Sequence, residues 1–414
     1  MSATPSTAPP ETEPADLPAV LGATFLVRFA FGISIAVFAS YLEGHMVGLA
    51  PGEFGTVGLV SSTASIAEFS TVLLSGIAAD RYGRWRILGI GMGVAAVMTL
   101  LFTVTRSPVP IASINFVFGI ASGAILAASL ALVADEAPRA RRGYDMGRFD
   151  AVNLAGWIVG YAAGLIALGT LPNSWLAGIF PVGTLALLVG LLYAYHLRRR
   201  QVPVGRVVRA RRIPLGDIVQ RRVVIVVAPW LVIYTLIGTA LVFLGTAADG
   251  VGISPIYLGI AIGIGGLLLT LTQPAFGTLA DRFGTTRLMM IGTGGFVVVL
   301  IGAILIASYG APPFLIAIVA VGVVGALAYG PAALSALAEL SRSISRATTM
   351  AVYTLCISLG MTIGLLASTQ LWANFGVPGI DAFFAVLAGL LVVLAVLRYW
   401  DDSVATATLT TPAQ

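Results

Sequence analysis

The sequence predicts an all-α membrane protein with twelve transmembrane helices in two pseudo-symmetric six-helix bundles. Three observations predict it. The chain is 58% hydrophobic and only 10% charged, with a mean hydropathy of +0.98, too apolar for a water-facing surface. Apolar runs of about twenty residues, the length that crosses a bilayer as a helix, recur along its length. One charged motif also occurs twice. Gly76-Ile-Ala-Ala-Asp80-Arg81-Tyr-Gly83-Arg84-Trp-Arg86 returns, 201 residues later, as Gly277-Thr-Leu-Ala-Asp281-Arg282-Phe-Gly284-Thr-Thr-Arg287. A large soluble α/β protein is excluded by the composition. A β-barrel would need short alternating segments, which are absent.

The first six spans read as 19–41, 54–78, 87–106, 109–133, 150–170 and 175–195. The second six read as 223–245, 255–279, 288–308, 312–336, 347–371 and 378–399. Each covers about 30 Å at 1.5 Å per residue. The 48 glycines suit helices that pack closely without a water-driven force. The connections on one face are short, from Glu43–Glu53 and Arg106–Pro108 through Leu171–Ser174 to Gly245–Ser254, Tyr309–Ala311 and Ala373–Gly379. They leave no room for an enzymatic ectodomain.

All 23 basic residues are arginine, and apart from Arg28, inside a span, and Arg106, on the first face, they gather on the other face. By the positive-inside rule that face is cytoplasmic and so are both termini. The expected location is the inner membrane of a prokaryotic cell. Residues 1–17 form a polar, Pro-rich end without the basic start of a signal peptide. Residues 18–197 form the first bundle, 198–222 a basic cytoplasmic linker, 223–400 the second bundle and 401–414 a tail. Both ends are expected to be unstructured. The linker holds nine arginines against Asp217 and suits an anionic inner leaflet. The net charge of +5 reports topology and points to no nucleic acid. Cys356 stands alone, so no internal disulfide forms.

The repeated motif has physical reasons of its own. Gly76 allows close helix contact, Asp80 can accept charge-assisted hydrogen bonds, and Gly83 permits a tight reversal. Arg81, Arg84 and Arg86 hold the loop inside. With twelve spans and a central basic loop, Gly-x-x-x-Asp-Arg-x-Gly-Arg-x-Arg resembles the signature of the major facilitator superfamily. The resemblance implies a transporter in which this loop latches the two halves on the cytoplasmic side. The acid-then-arginine segments Asp135-Glu136-Ala-Pro-Arg-Ala-Arg141-Arg142 and Glu339-Leu-Ser-Arg342 resemble the accompanying gate. Asp281 and Arg282 repeat the latch more weakly, since Thr285 stands where the first copy has Arg84. The stronger latch is therefore expected at the first copy.

Two charges lie deep in predicted helices, Arg28 and Glu68. Both come out about 13–15 Å from the inner edge, so neighbouring helices can bring them together. A nearby cation favours the ionised carboxylate and dehydration the neutral acid, so alternating water access can load and release a proton at Glu68. A static pair, or an Arg28 that snorkels to the interface, are the other readings. The family's drug exporters typically carry an arginine where this chain has Asn115, and a proline where it has Tyr161. The Arg28 and Glu68 pattern partly resembles the superfamily's proton-coupled glycolipid flippases. The cavity candidates are Asn115, Trp157, Tyr161, Trp230, Tyr234, Gln273, Tyr329 and Tyr353.

One pair of charges amid apolar surface suits an amphipathic organic compound, and proton-coupled export is the first reading. Arg28 could instead bind one carboxylate, which keeps uptake of a small organic anion open. A membrane sensor that moves nothing is a third reading. The expected partners are a small organic substrate, protons and membrane lipids, with no cofactor, no metal and a monomeric state. No nucleotide-binding loop or catalytic constellation suggests an enzyme.

Overall fold

A computed structural model describes residues 17–45, 54–136, 142–198, 221–250, 254–310, 312–340 and 346–410. The N-terminal segment 1–16 and most of the basic linker lie outside them. The helices are α1 (Leu17–His45), α2 (Phe54–Tyr82), α3 (Arg84–Leu101), α4 (Pro108–Glu136), α5 (Arg142–Thr170) and α6 (Ile179–Arg198). They continue as α7 (Arg221–Gly250), α8 (Pro255–Thr270), α9 (Gln273–Phe283), α10 (Thr285–Tyr309) and α11 (Pro313–Ala326). The last three are α12 (Tyr329–Leu340), α13 (Arg346–Phe375) and α14 (Val377–Thr410). Twelve spans long and apolar enough to cross a membrane result, with α8–α9 and α11–α12 each forming one. No strand occurs among the described residues.

Two spans expected to be continuous are therefore broken, and proline is the reason. Pro274 has no N–H to return to the preceding turn, and the chain tightens there, with Thr272 N donating to Leu269 O at 3.1 Å. Pro331 has the same effect after α11, where Ala328 N donates to Gly325 O at 3.0 Å. Two helix boundaries also move. The fifth span begins at Arg142, not at 150, which carries Asp145, Arg148 and Asp150 into a helix. The last helix runs on to Thr410, where an unstructured tail was expected from Asp402.

The two motif copies make the same turn. Gly83 has φ 101° and Gly284 has φ 90°, a region closed to most side chains. Each glycine closes the helix before it by donating its N–H four residues back, Gly83 to Ala79 O and Gly284 to Ala280 O, both at 3.0 Å.

Helix α5 is the spine of the contact between halves. On α1 it packs backbone to backbone, with Gly156 and Gly160 facing Phe25 and Phe29. Towards the second half it lies along the broken span. Gly143 meets Gly277, Gly147 meets Gln273, and Ala162 meets Gly259, while Gly169 meets Ile256 at the far end. On the opposite side, Val72 of α2, Ala127 of α4 and Ala351 of α13 bury one another. Exposed Ile90, Leu192, Leu268 and Val386 coat the outside, as a lipid-facing surface requires.

Candidate functional site

The site grows from the crossing of α1 and α5. A Cβ at Gly156 would stand 2.9 Å from Arg28 Cβ, so only glycine admits the arginine stem this close. Arg28 is thereby aimed along α5, where its Nε donates to Asn153 Oδ1 at 2.6 Å. Phe31 lies under the guanidinium, 5.9 Å from ring centre to Cζ.

Glu68 reaches the same region from α2. Gly123 on α4 makes room for it, since a Cβ there would come within 3.1 Å of Glu68 Cγ. Ser122 of α4 and Ser358 of α13 stand beside it, the Ser358 hydroxyl donating to Thr354 O at 2.7 Å, and Arg28 is the cation acting on it. The two charges do meet electrostatically, but no direct ion pair joins them among the described residues. The guanidinium is turned to Asn153 because that amide oxygen lies on the helix that α1 packs against. Ser358 belongs to the second half, so Glu68 spans the boundary between bundles.

Aromatic rings border this polar centre. Trp157 and Tyr161, one turn apart on α5, stack at 5.1 Å and 9°. Trp230 gathers Tyr234, Tyr329 and Tyr353 at 5.7, 5.3 and 4.9 Å. Tyr234 and Tyr353 interact with each other and with Arg28.

Three other candidates are occupied elsewhere. Asn115 donates to Val60 O, Ser61 O and Thr63 Oγ1 at 3.0, 3.3 and 3.1 Å. Its amide thus ties α4 to α2. Tyr329 donates its hydroxyl to Val226 O at 2.8 Å inside the second half. Gln273 is 1% exposed, packed at the break of the eighth span against Gly147.

Asn153 and Asp150 are the residues that sequence reading missed. Both are buried on α5. The signal was present: Asp150, Asn153, Trp157 and Tyr161 recur at three- and four-residue steps, one face of a helix. Placing the start of the span at 150 hid it.

The profile of the Major Facilitator Superfamily matches residues 20–248 and 231–412. The chain belongs to the major facilitator superfamily. The human organic anion transporter MFSD10 (TETRAN) superposes with a TM-score of 0.72 at 18% identity, covering 94% of this chain and 100% of that one. The proton:xylose symporter XylE, solved with 6-bromo-6-deoxy-D-glucose, gives 0.75 at 16% identity over 94% and 95%. Identities this low speak for the two-bundle fold alone. A gallate transporter of Pseudomonas putida is 27% identical over 194 residues, which take in 44% of this chain and only 37% of that protein. The protein is thus a membrane transporter of the superfamily and not an enzyme.

The superfamily motif makes two kinds of contact here. In the first copy, Arg84 pairs with Asp80 at 3.3 Å and also with Asp135 on α4. Both pairs stay inside the first half. Arg81 lies over the Tyr82 ring at 5.4 Å, and Arg86 is exposed. Gly76 is buried. In the second copy, Asp281 crosses between halves. Its carboxylate accepts the N–H of Gly143 at 2.9 Å and of Tyr144 at 3.1 Å, in the first turn of α5. A helix N-terminus has N–H groups without intrahelical partners and a positive dipole end, so a carboxylate caps it well. Arg282 and Glu339 are exposed at the same end of the bundle. Arg141, Arg342 and the side chain of Glu136 lie outside the described residues.

Proposed function

We propose that the protein is a proton-coupled carrier of a small organic anion with an apolar or aromatic body, working by alternating access. The observation that carries this reading is Arg28, a cation at mid-depth of the first bundle, oriented by Asn153 and balanced by one carboxylate, Glu68. With Glu68 ionised, Arg28 has its countercharge. When Glu68 takes a proton, the guanidinium is left to bind an anionic substrate bidentately. Proton and anion then enter together, and crossing the membrane moves no unbalanced charge through hydrocarbon. The rings of Trp157, Tyr161, Tyr234 and Tyr353 fit an apolar body beside that charge. The names of the gallate and organic anion transporters agree with this substrate class.

The arginine-rich end with both termini is read as cytoplasmic, in the inner membrane of a prokaryotic cell, with residues 198–222 joining bundles 18–197 and 223–400 of a monomer. The Asp281 cap, which crosses between the halves, then serves as the cytoplasmic latch, while the Arg84 pairs brace the first half at the same end.

Purified protein in vesicles holding a pH dye tests the reading. An inward gradient of an accepted aromatic or aliphatic carboxylate should carry protons with it. Arg28→Ala should raise the half-saturation about tenfold or more, since a hydrogen bond to a charged group is worth about 1.5–3 kcal/mol. Protons moving against the substrate would replace this reading with export by antiport. Binding without net flux would make the protein a sensor.

A further inference from the structure

Asp150 has no part in the cycle described so far, yet its surroundings are unusual. It sits two turns into α5, on the seam with the second half, and is 3% exposed. No cation lies within ion-pair reach of it among the described residues. The contrast with Asp145 on the same helix is direct, because Asp145 has Arg148 Nη1 at 3.9 Å. Arg28, on the neighbouring α1, is hydrogen-bonded one turn further along α5 to Asn153. A bare carboxylate buried without a countercharge is costly.

The polar groups facing it from the other half are a carboxamide and two tyrosine hydroxyls. From α12, Gly330 faces it, and a Cβ there would overlap Asp150 Oδ2 while standing 3.6 Å from Gln273 Oε1. The carboxylate and the carboxamide oxygen thus converge on the gap left by one glycine. Gln273 Oε1 is buried and receives no hydrogen bond. Tyr234 of α7 and Tyr353 of α13 are the titratable groups that act on Asp150 from the remaining elements, and α8 presents no charge to it. Both oxygens face the same gap as acceptors, and a proton on the carboxyl would turn their repulsion into a hydrogen bond.

We propose that Asp150 is a second proton-binding carboxyl, protonated and donating to Gln273 Oε1 while the halves are packed along α5, and ionised when that seam parts and water enters. The proposal builds on the proton-coupled reading above and adds a proton site tied to the conformational step. Gly330 is then a specific requirement, since any side chain there would hold the two oxygens apart. Asp150 acts through the seam and is a positioning residue; it need not touch the substrate.

Infrared difference spectra of the purified full chain, titrated in lipid nanodiscs without substrate, test it. Asp150→Asn should remove one protonated-carboxyl band that Glu68→Gln leaves in place. Gln273→Leu should shift that band to higher frequency, because the acceptor is gone. In parallel, distances between labels at Tyr82→Cys and Phe283→Cys should lengthen in the wild type as pH rises and stay short in Asp150→Asn. The proposal is overturned if Asp150→Asn removes only ionised-carboxylate intensity, which would mean an ionised Asp150 held by the Gln273 amide. It is equally overturned if that variant opens with the wild-type pH profile. Neither readout uses a substrate, so failure of the organic-anion reading would leave this result standing, and the reverse also holds.

Discussion

Replacing Asp281 with alanine isolates the bond between halves. The carboxylate accepts two N–H groups of the first turn of α5, at 2.9 and 3.1 Å. A side-chain cap of this kind is worth about 0.5–2 kcal/mol, and an acid at a helix N-terminus about 0.3–1 kcal/mol at an exposed site. Asp281 is exposed, so water and salt weaken both. The net contribution is about 1 kcal/mol, or about a fivefold shift in the closed-to-open ratio at the arginine-rich end. Asp281→Asn keeps one acceptor and should lose about half of that free energy. Single-molecule transfer between labels at Tyr82→Cys and Phe283→Cys reads the ratio. These two exposed positions end α2 and α9, one in each half, and buried Cys356 can be replaced by serine beforehand. An unchanged open fraction in Asp281→Ala would refute the argument that this cap holds the halves together.

Other substitutions follow from the same geometry. Gly83→Ala and Gly284→Ala, at φ 101° and 90°, should each cost about 1–2 kcal/mol, seen as a lower melting temperature in detergent. Gly277→Val should block closure instead of merely weakening it, since its new side chain would strike the Gly143 carbonyl; label distances should then report a permanently open end. Asn115→Leu should cost about 0.6–1.7 kcal/mol of stability, the range for interhelical hydrogen bonds in membranes, while leaving substrate half-saturation unchanged. Tyr329→Phe should behave likewise, because its hydroxyl is donated to Val226 O inside the second half.

How much of this was legible in the sequence differs from element to element. The spans and the turn glycines were, because membrane length and positive φ are local requirements that act through single residues or short runs. The broken eighth and tenth spans were not read, although Pro274 and Pro331 announce them; an all-apolar run has no periodicity to interrupt. The meeting of Arg28 with Glu68 was anticipated from depth alone. Its actual form was not, since Asn153 enters from a helix whose packing on α1 depends on Gly156 and Gly160. Asn115 was expected to line a cavity because its sequence position cannot say that its amide faces α2. Asp150 was lost to a boundary error of eight residues, from 150 to Arg142. Its burial depends on Gln273 and Gly330, more than a hundred positions away.

The central claim is that Glu68 couples a proton to an anion bound at Arg28. The most direct measurement compares two kinds of flux in the Glu68→Gln variant, reconstituted in vesicles with an accepted carboxylate. Exchange of labelled for unlabelled substrate at equal pH should persist, since an amide at this position leaves Arg28 permanently free to bind. Accumulation driven by a pH gradient should vanish. Retention of pH-driven accumulation in that variant would contradict the account.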